Sequence, residues 1–192
     1  MTSSRLRAAL LAALHALLVS FALTFCDAVG HVAYGTLVYT APDAGSLFMG
    51  QPTLQVWLGF LGIGVFVTLA GAALQSEAPR PGLGATALGV LAFLAAYIAS
   101  GPLGAWPMTL HALFVATWWL HLQTFPPATQ QRLVAWSVLL GLLGPVFEGA
   151  YAQTGFFHYV DADAFGVPIW LMGIYLHGAL AVARTVRWLA DP

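Results

Sequence analysis

Six long apolar stretches follow one another along the chain, and the segments between and beyond them carry most of its prolines and charges. An α-helix rises about 1.5 Å per residue, so roughly 20 apolar residues cross the hydrocarbon of a bilayer. By that measure the pattern predicts membrane spans at residues 8–29, 53–74, 83–100, 103–122, 133–153 and 167–189. The breaks have chemical causes. Residues 39–52 hold Pro42, Gly45, Gly50 and Pro52, and Glu77-Ala78-Pro79-Arg80-Pro81-Gly82 is charged and rich in helix breakers. Ser100-Gly101-Pro102 and Phe125-Pro126-Pro127 act in the same way, and residues 158–166 carry Asp161 and Asp163. Pro168 stands where the last helix is expected to start, because a first-turn N–H has no intrahelical partner to lose.

Composition turns this pattern into a class. The chain is 60% hydrophobic and 7% charged, with a mean hydropathy of +0.83. A soluble domain uses roughly 25% charged residues to cover its surface. The outer surface of this chain must therefore face something apolar, and disorder is excluded on the same grounds. The expectation is an all-α integral membrane protein, a six-helix bundle forming one domain over residues 1–192. A net charge of −1 provides no field for nucleic acid. The single cysteine, Cys26, forms no internal disulfide and no cysteine-only metal cage. Residues 1–7 with the apolar run Ala8–Phe25 resemble a secretory signal, but the run is long for one, so it is read as the first membrane helix.

Charge sets the direction. The six basic residues are Arg5, Arg7, Arg80, Arg132, Arg184 and Arg187. With the N-terminus cytoplasmic, all of them fall on the cytoplasmic side of six spans. The opposite loops hold Asp43, Asp161 and Asp163 and no arginine, which is the asymmetry of the positive-inside rule. Both termini are expected in the cytoplasm, in a bacterial inner membrane or the endoplasmic reticulum.

The two ends of the chain also resemble each other. Gly35-Thr36-Leu37-Val38-Tyr39 matches Gly155-Phe156-Phe157-His158-Tyr159, and Asp43 then matches Asp163. Upstream, Asp27 matches Glu148; downstream, Pro52 with Trp57 matches Pro168 with Trp170. Spans one and two are read as a repeat of spans five and six, with both acids in the outer half of the bilayer.

An ionisable group in hydrocarbon is costly and should face other helices or a cavity. Helical spacing puts Ser20, Thr24, Asp27, His31 and Tyr34 on one face of span one. Span five carries Glu148 and Tyr151, span six Trp170 and His177, and span four His111. The candidate ligand-binding set is Asp27, His31, Tyr34, His111, Glu148, Tyr151, Trp170 and His177. The plainer alternative is a hydrogen-bonded helix contact, with Asp27 and His31 simply pairing as i,i+4 neighbours. His15, His121 and His158 lie near helix ends and carry little information. No metal and no cofactor is expected, because the ligand-type residues lack motif spacing. No serine or cysteine sits in a nucleophile elbow. Span-two glycines such as Gly59 and Gly62 suit close helix packing and an oligomer, and Trp106, Trp118, Trp119 and Trp188 suit interfacial anchoring.

The last third of the chain resembles the Insig (insulin-induced gene) family of six-span, sterol-regulatory membrane proteins. The resemblance rests on the paired Trp118-Trp119, the Gly155–Tyr159 run, Asp163, Trp170-Leu171 and Arg187. It implies a six-span fold that binds a lipid without chemistry. The loop His121–Pro127 departs from the family in being longer and nearly uncharged. Sterol-isomerase (emopamil-binding) and carotenoid-pathway membrane proteins show a weaker resemblance, through an intramembrane acid, a Gly/Tyr run and a Pro-x-Trp. Two readings follow. In the first, a non-enzymatic protein holds a sterol-, diacylglycerol- or isoprenoid-like lipid in an intramembrane cavity. In the second, an isomerase or hydratase acts on a sterol or isoprenoid with Glu148 and Asp27 as acid and base, beside His31. A low dielectric favours a protonated carboxyl able to deliver its proton.

Overall fold

A computed structural model describes residues 3–40, 48–73 and 80–190. Asp43, Leu74 and Glu77 of the readings above lie outside the described residues. Six helices form the bundle: α1 (Ser3–Cys26), α2 (Thr53–Ala73), α3 (Leu83–Leu103), α4 (Pro107–Leu122), α5 (Pro127–Ala152) and α6 (Leu171–Ala190). α1 runs on without a break into a π-helical turn, Asp27–Val32.

Four helices are long and apolar enough to cross a membrane: α1 with its π turn, α2, α3 and α5. α4 has 16 residues, about 24 Å at the helical rise. α6 differs for a packing reason. It touches all five other helices, and Ala179 and Leu180 at its middle are fully buried. A helix enclosed by its neighbours has no need of a uniformly greasy surface, so it tolerates His177, Arg184 and Arg187. The lipid-facing residues are carried by the others, with Phe21, Phe66, Leu69, Leu91, Leu142 and Phe147 all more than half exposed. This is an apolar exterior of the kind that only an apolar solvent accepts.

Several boundaries differ from the sequence reading: the first helix runs from Ser3 through the π turn to Val32 rather than over 8–29, and α4 begins at Pro107 rather than at residue 103. Pro102 does not end the third helix; it sits in the last turn of α3, which continues to Leu103. α5 begins at Pro127, not at residue 133, because a proline at the first helical position loses no hydrogen bond. Arg132 therefore lies in the second turn of α5 rather than in a loop. α6 begins at Leu171, not near Pro168; a turn closed by the Leu171 N–H on the Pro168 carbonyl, 3.1 Å, precedes it.

The all-α expectation missed a small ribbon. β1 (Leu37–Tyr39) pairs antiparallel with β2 (Phe157–Tyr159) in the register Leu37↔Tyr159, Val38↔His158, Tyr39↔Phe157. These strands are the two matched segments of the sequence, and the register is symmetric about the Val38–His158 pair. An approximate two-fold axis therefore passes through the ribbon. The flanking loops share their geometry too. Gly35 and Gly155 have φ of 67° and 80°. Met49-Gly50 and Phe165-Gly166 each place two positive-φ residues inside a tight turn bridged by Phe48↔Gln51 and Ala164↔Val167. Counted from the prolines that follow, Trp170 takes the place of Leu54, so the pairing of Trp170 with Trp57 fails.

The π turn explains a misfit in the alignment. Eight positions separate Asp27 from Gly35, but seven separate Glu148 from Gly155. A π turn accommodates one extra residue within a helix. The first copy absorbs its extra residue there, and both acids reach the ribbon at the same place.

Candidate functional site

The ribbon end of the bundle holds a polar cluster built by the π turn, both ribbon strands, the turn at Gln51, α3, α5 and α6. In the first copy Asp27, 2% exposed, is the centre. Tyr39 donates its hydroxyl to Oδ2 at 2.8 Å, and Gln51 donates Nε2 to the same oxygen at 2.7 Å. His31 approaches Oδ1 through Nδ1 at 3.3 Å. The other ring nitrogen of His31 lies 2.8 Å from the Ser100 hydroxyl, whose own hydrogen goes to the Tyr97 carbonyl at 2.6 Å. Both ring nitrogens are thus hydrogen-bonded within the cluster. The ring stacks on Tyr97 at 4.7 Å and lies 5.4 Å from Trp170.

The second copy repeats the device. Tyr159 donates to Glu148 Oε2 at 2.6 Å, and Tyr175 of α6 donates to Oε1 at 2.5 Å. Tyr159 thus does for Glu148 what Tyr39 does for Asp27. Tyr175 reaches the acid across Gly144, where any Cβ would collide with its ring. Burial, reinforced by the neighbouring carboxylates, pushes the Tyr39 and Tyr159 hydroxyls well above the usual phenol range. Both stay protonated and remain donors. The halves join through aromatic contacts of Tyr159 with His31 and with Trp170, each at 6.0 Å.

Among the residues singled out by sequence, Asp27, His31, Glu148 and Trp170 meet here. Tyr34 does not. It is 58% exposed, because the π turn shifts the face that the simple helical spacing assumed and the helix ends just before it. Tyr151 is also exposed and packs on Phe156 and Phe157 instead. His111 is half-buried on α4, and its Nδ1 has no hydrogen-bond partner. His177 belongs elsewhere: its Nε2 meets the Thr117 hydroxyl at 3.0 Å and the Phe114 carbonyl at 3.2 Å, and its ring stacks with His121. His15, read as uninformative, is buried and joins three helices, with one ring nitrogen 2.7 Å from Thr68 and the other 2.8 Å from Thr185. Sequence reasoning missed Tyr39, Gln51, Tyr97, Ser100 and Tyr175 as partners. The repeat was a usable signal for Tyr39 and Tyr159, since both stand at its last matched position. Gln51 and Ser100 carry no such mark.

Chemically, the cluster presents acceptors. Asp27 and Glu148 accept from every group bonded to them. Gln51 Oε1, fully buried beside Asp27, has no partner.

No protein-family model and no curated protein matches the chain. Among solved structures it is similar to a crystal structure of MvINS, a mycobacterial Insig homologue from Mycobacterium vanbaalenii. The sequences are 26% identical, the TM-score is 0.76, and the match covers 94% of this chain and 95% of that one. A cross-linked trimer of a variant of MvINS matches with the same TM-score, identity and coverage. The likeness spans nearly the whole chain, not only the last third whose motifs carry the resemblance.

Proposed function

We propose that the chain, an Insig-like membrane protein, holds a hydroxyl-bearing lipid of the sterol, diacylglycerol or isoprenoid class in an intramembrane cavity at the ribbon end of its bundle. The observation that carries this reading is the setting of Glu148. It sits half-buried on α5 beside outward-facing Leu142, Leu143 and Phe147, and two phenols draw its carboxylate inward. A carboxylate so placed accepts a hydrogen bond from a ligand arriving along the lipid face. Gln51 Oε1 is a second free acceptor deeper in. Acceptors at the polar end and aromatic rings around them complement an alcohol on an apolar body.

In the same proposal the six helices all cross the bilayer, the ribbon end faces away from the cytoplasm, and the protein assembles into homo-oligomers, as the cross-linked trimer of MvINS suggests by analogy. The direct test is native mass spectrometry of detergent-purified protein offered cholesterol, dioleoylglycerol and their methyl ethers. Retention of the alcohols, with the ethers held at least tenfold more weakly, is expected. A stripped protein that takes up neither alcohol sinks the proposal. Formation of a product that depends on Glu148 from labelled sterols or carotenoids would replace it with the enzyme reading.

A further inference from the structure

The opposite end of the bundle holds a second group of buried polar side chains that the lipid site does not use. His121 closes α4, Thr124 and Phe125 follow it, and His177 and Arg184 come from α6. Arg184 is 5% exposed, His121 7% and His177 2%. One Nη of Arg184 bonds the Thr124 hydroxyl at 2.5 Å, and the guanidinium lies 3.9 Å above the Phe125 ring. Its Nε has no partner. Neither ring nitrogen of His121 has one, nor does Nδ1 of His177. The His121 and His177 rings stack at 6.4 Å. Gly89 of α3 packs against both: a Cβ there would stand 2.9 Å from Arg184 Cδ and 3.4 Å from His121 Nε2, so the arginine stem would have to shift.

This arrangement is expensive as it stands. Buried polar atoms nearly always have partners, and a buried guanidinium ordinarily has a counter-charge. Here three neighbouring side chains carry four unpartnered nitrogens, and no described carboxylate pairs with Arg184: the described acids Asp27, Glu148, Asp161 and Asp163 all belong to the ribbon end. Water could satisfy the nitrogens but would bring no counter-charge. An anion does both. Charge-assisted bonds from guanidinium and imidazole to a phosphate are short and strong, and basic pockets between helices on the cytoplasmic side are where anionic headgroups bind. Thr124 is exposed and Phe125 partly so, which places the entrance at the α4–α5 connection.

We propose that His121, His177 and Arg184 form a binding site for a phosphate monoester, at the end of the bundle opposite the lipid-hydroxyl site. The chemistry fits the headgroup of a membrane phospholipid such as phosphatidic acid and also free phosphate. The test uses full-length protein in dodecyl maltoside, offered dioleoylphosphatidic acid, dioleoylglycerol or inorganic phosphate, with native mass spectrometry and thermal melting as readouts. One phosphatidic acid per chain should be retained and raise the melting temperature by several degrees, with dioleoylglycerol unable to displace it. Arg184→Gln and His121→Phe should each weaken retention at least tenfold. Arg184→Lys, which keeps the charge but loses Nε, should fall between and serves if the glutamine variant does not fold. An equal shift from inorganic phosphate alone would identify the free anion as the occupant. Absence of any adduct or shift with both phosphates, or equal binding by all variants, overturns the proposal.

Discussion

Each intramembrane acid depends on particular donors, and losing one is felt as an unpaired acceptor in a nearly dry place. Replacing Tyr159 by Phe leaves Glu148 Oε2 without its phenol and should cost about 1–3 kcal/mol. Thermal denaturation in detergent measures this, and the same change at exposed Tyr34 should be nearly silent. Thr68→Val, which removes one of the two hydroxyls flanking His15, should cost about 1 kcal/mol in the same assay. At this scale the sequence was partly legible. Asp27, Glu148 and His31 stood out because charge inside an apolar run has few excuses. Their partners did not, because Gln51 and Ser100 reach the cluster from other elements, 24 and 69 positions away from the residues they bond. His121 and Arg184 escaped notice for a related reason. Each looks like an ordinary helix-end polar group until the tertiary fold buries it.

Between neighbouring elements, the decisive features are the π turn and the close approach of α5 to α6. Gly144→Val would drive Tyr175 off the α5 surface and away from Glu148. An overpacking cost of about 1–3 kcal/mol is expected, together with weaker retention of dioleoylglycerol, read by melting and native mass spectrometry. Deleting Val29 would turn the π turn into plain α-helix and rotate His31 away from Asp27. It should lower the melting temperature more than deleting a residue from the exposed loop at Asp161, and a smaller loss would show that the turn does not set the register. Apolar runs and prolines located all six helices, because hydrocarbon leaves a helix few alternatives. They misplaced the starts of α4, α5 and α6, since a proline can open a helix as readily as it can end one. Hydropathy alone could not show the ribbon, which is three residues on each strand, nor the π turn, which looks like helix in any periodicity.

For the molecule as a whole, the ribbon and the arginine bias make a joint prediction. Val38 and His158 face each other, and antiparallel partners have Cα separations suited to a disulfide. A Val38→Cys/His158→Cys double variant should cross-link within one chain on oxidation, seen as a gel shift; Cys26, the only native cysteine, is buried and stays out of it. In intact cells, His158→Cys should react with a membrane-impermeant maleimide from outside, and Arg80→Cys only after permeabilisation. Labelling of both from the same side would refute the proposed orientation. The two-fold ribbon also bears on how the protein is made. Asp27 takes Tyr39 and Gln51 from its own copy, and Glu148 takes Tyr159 and Tyr175 from its own. Each helix pair can therefore leave the insertion machinery with its carboxylate already satisfied, in the order of synthesis. The ribbon, which joins the two copies, should be the last seam to close, with each copy's acid already bonded within its own copy before it does.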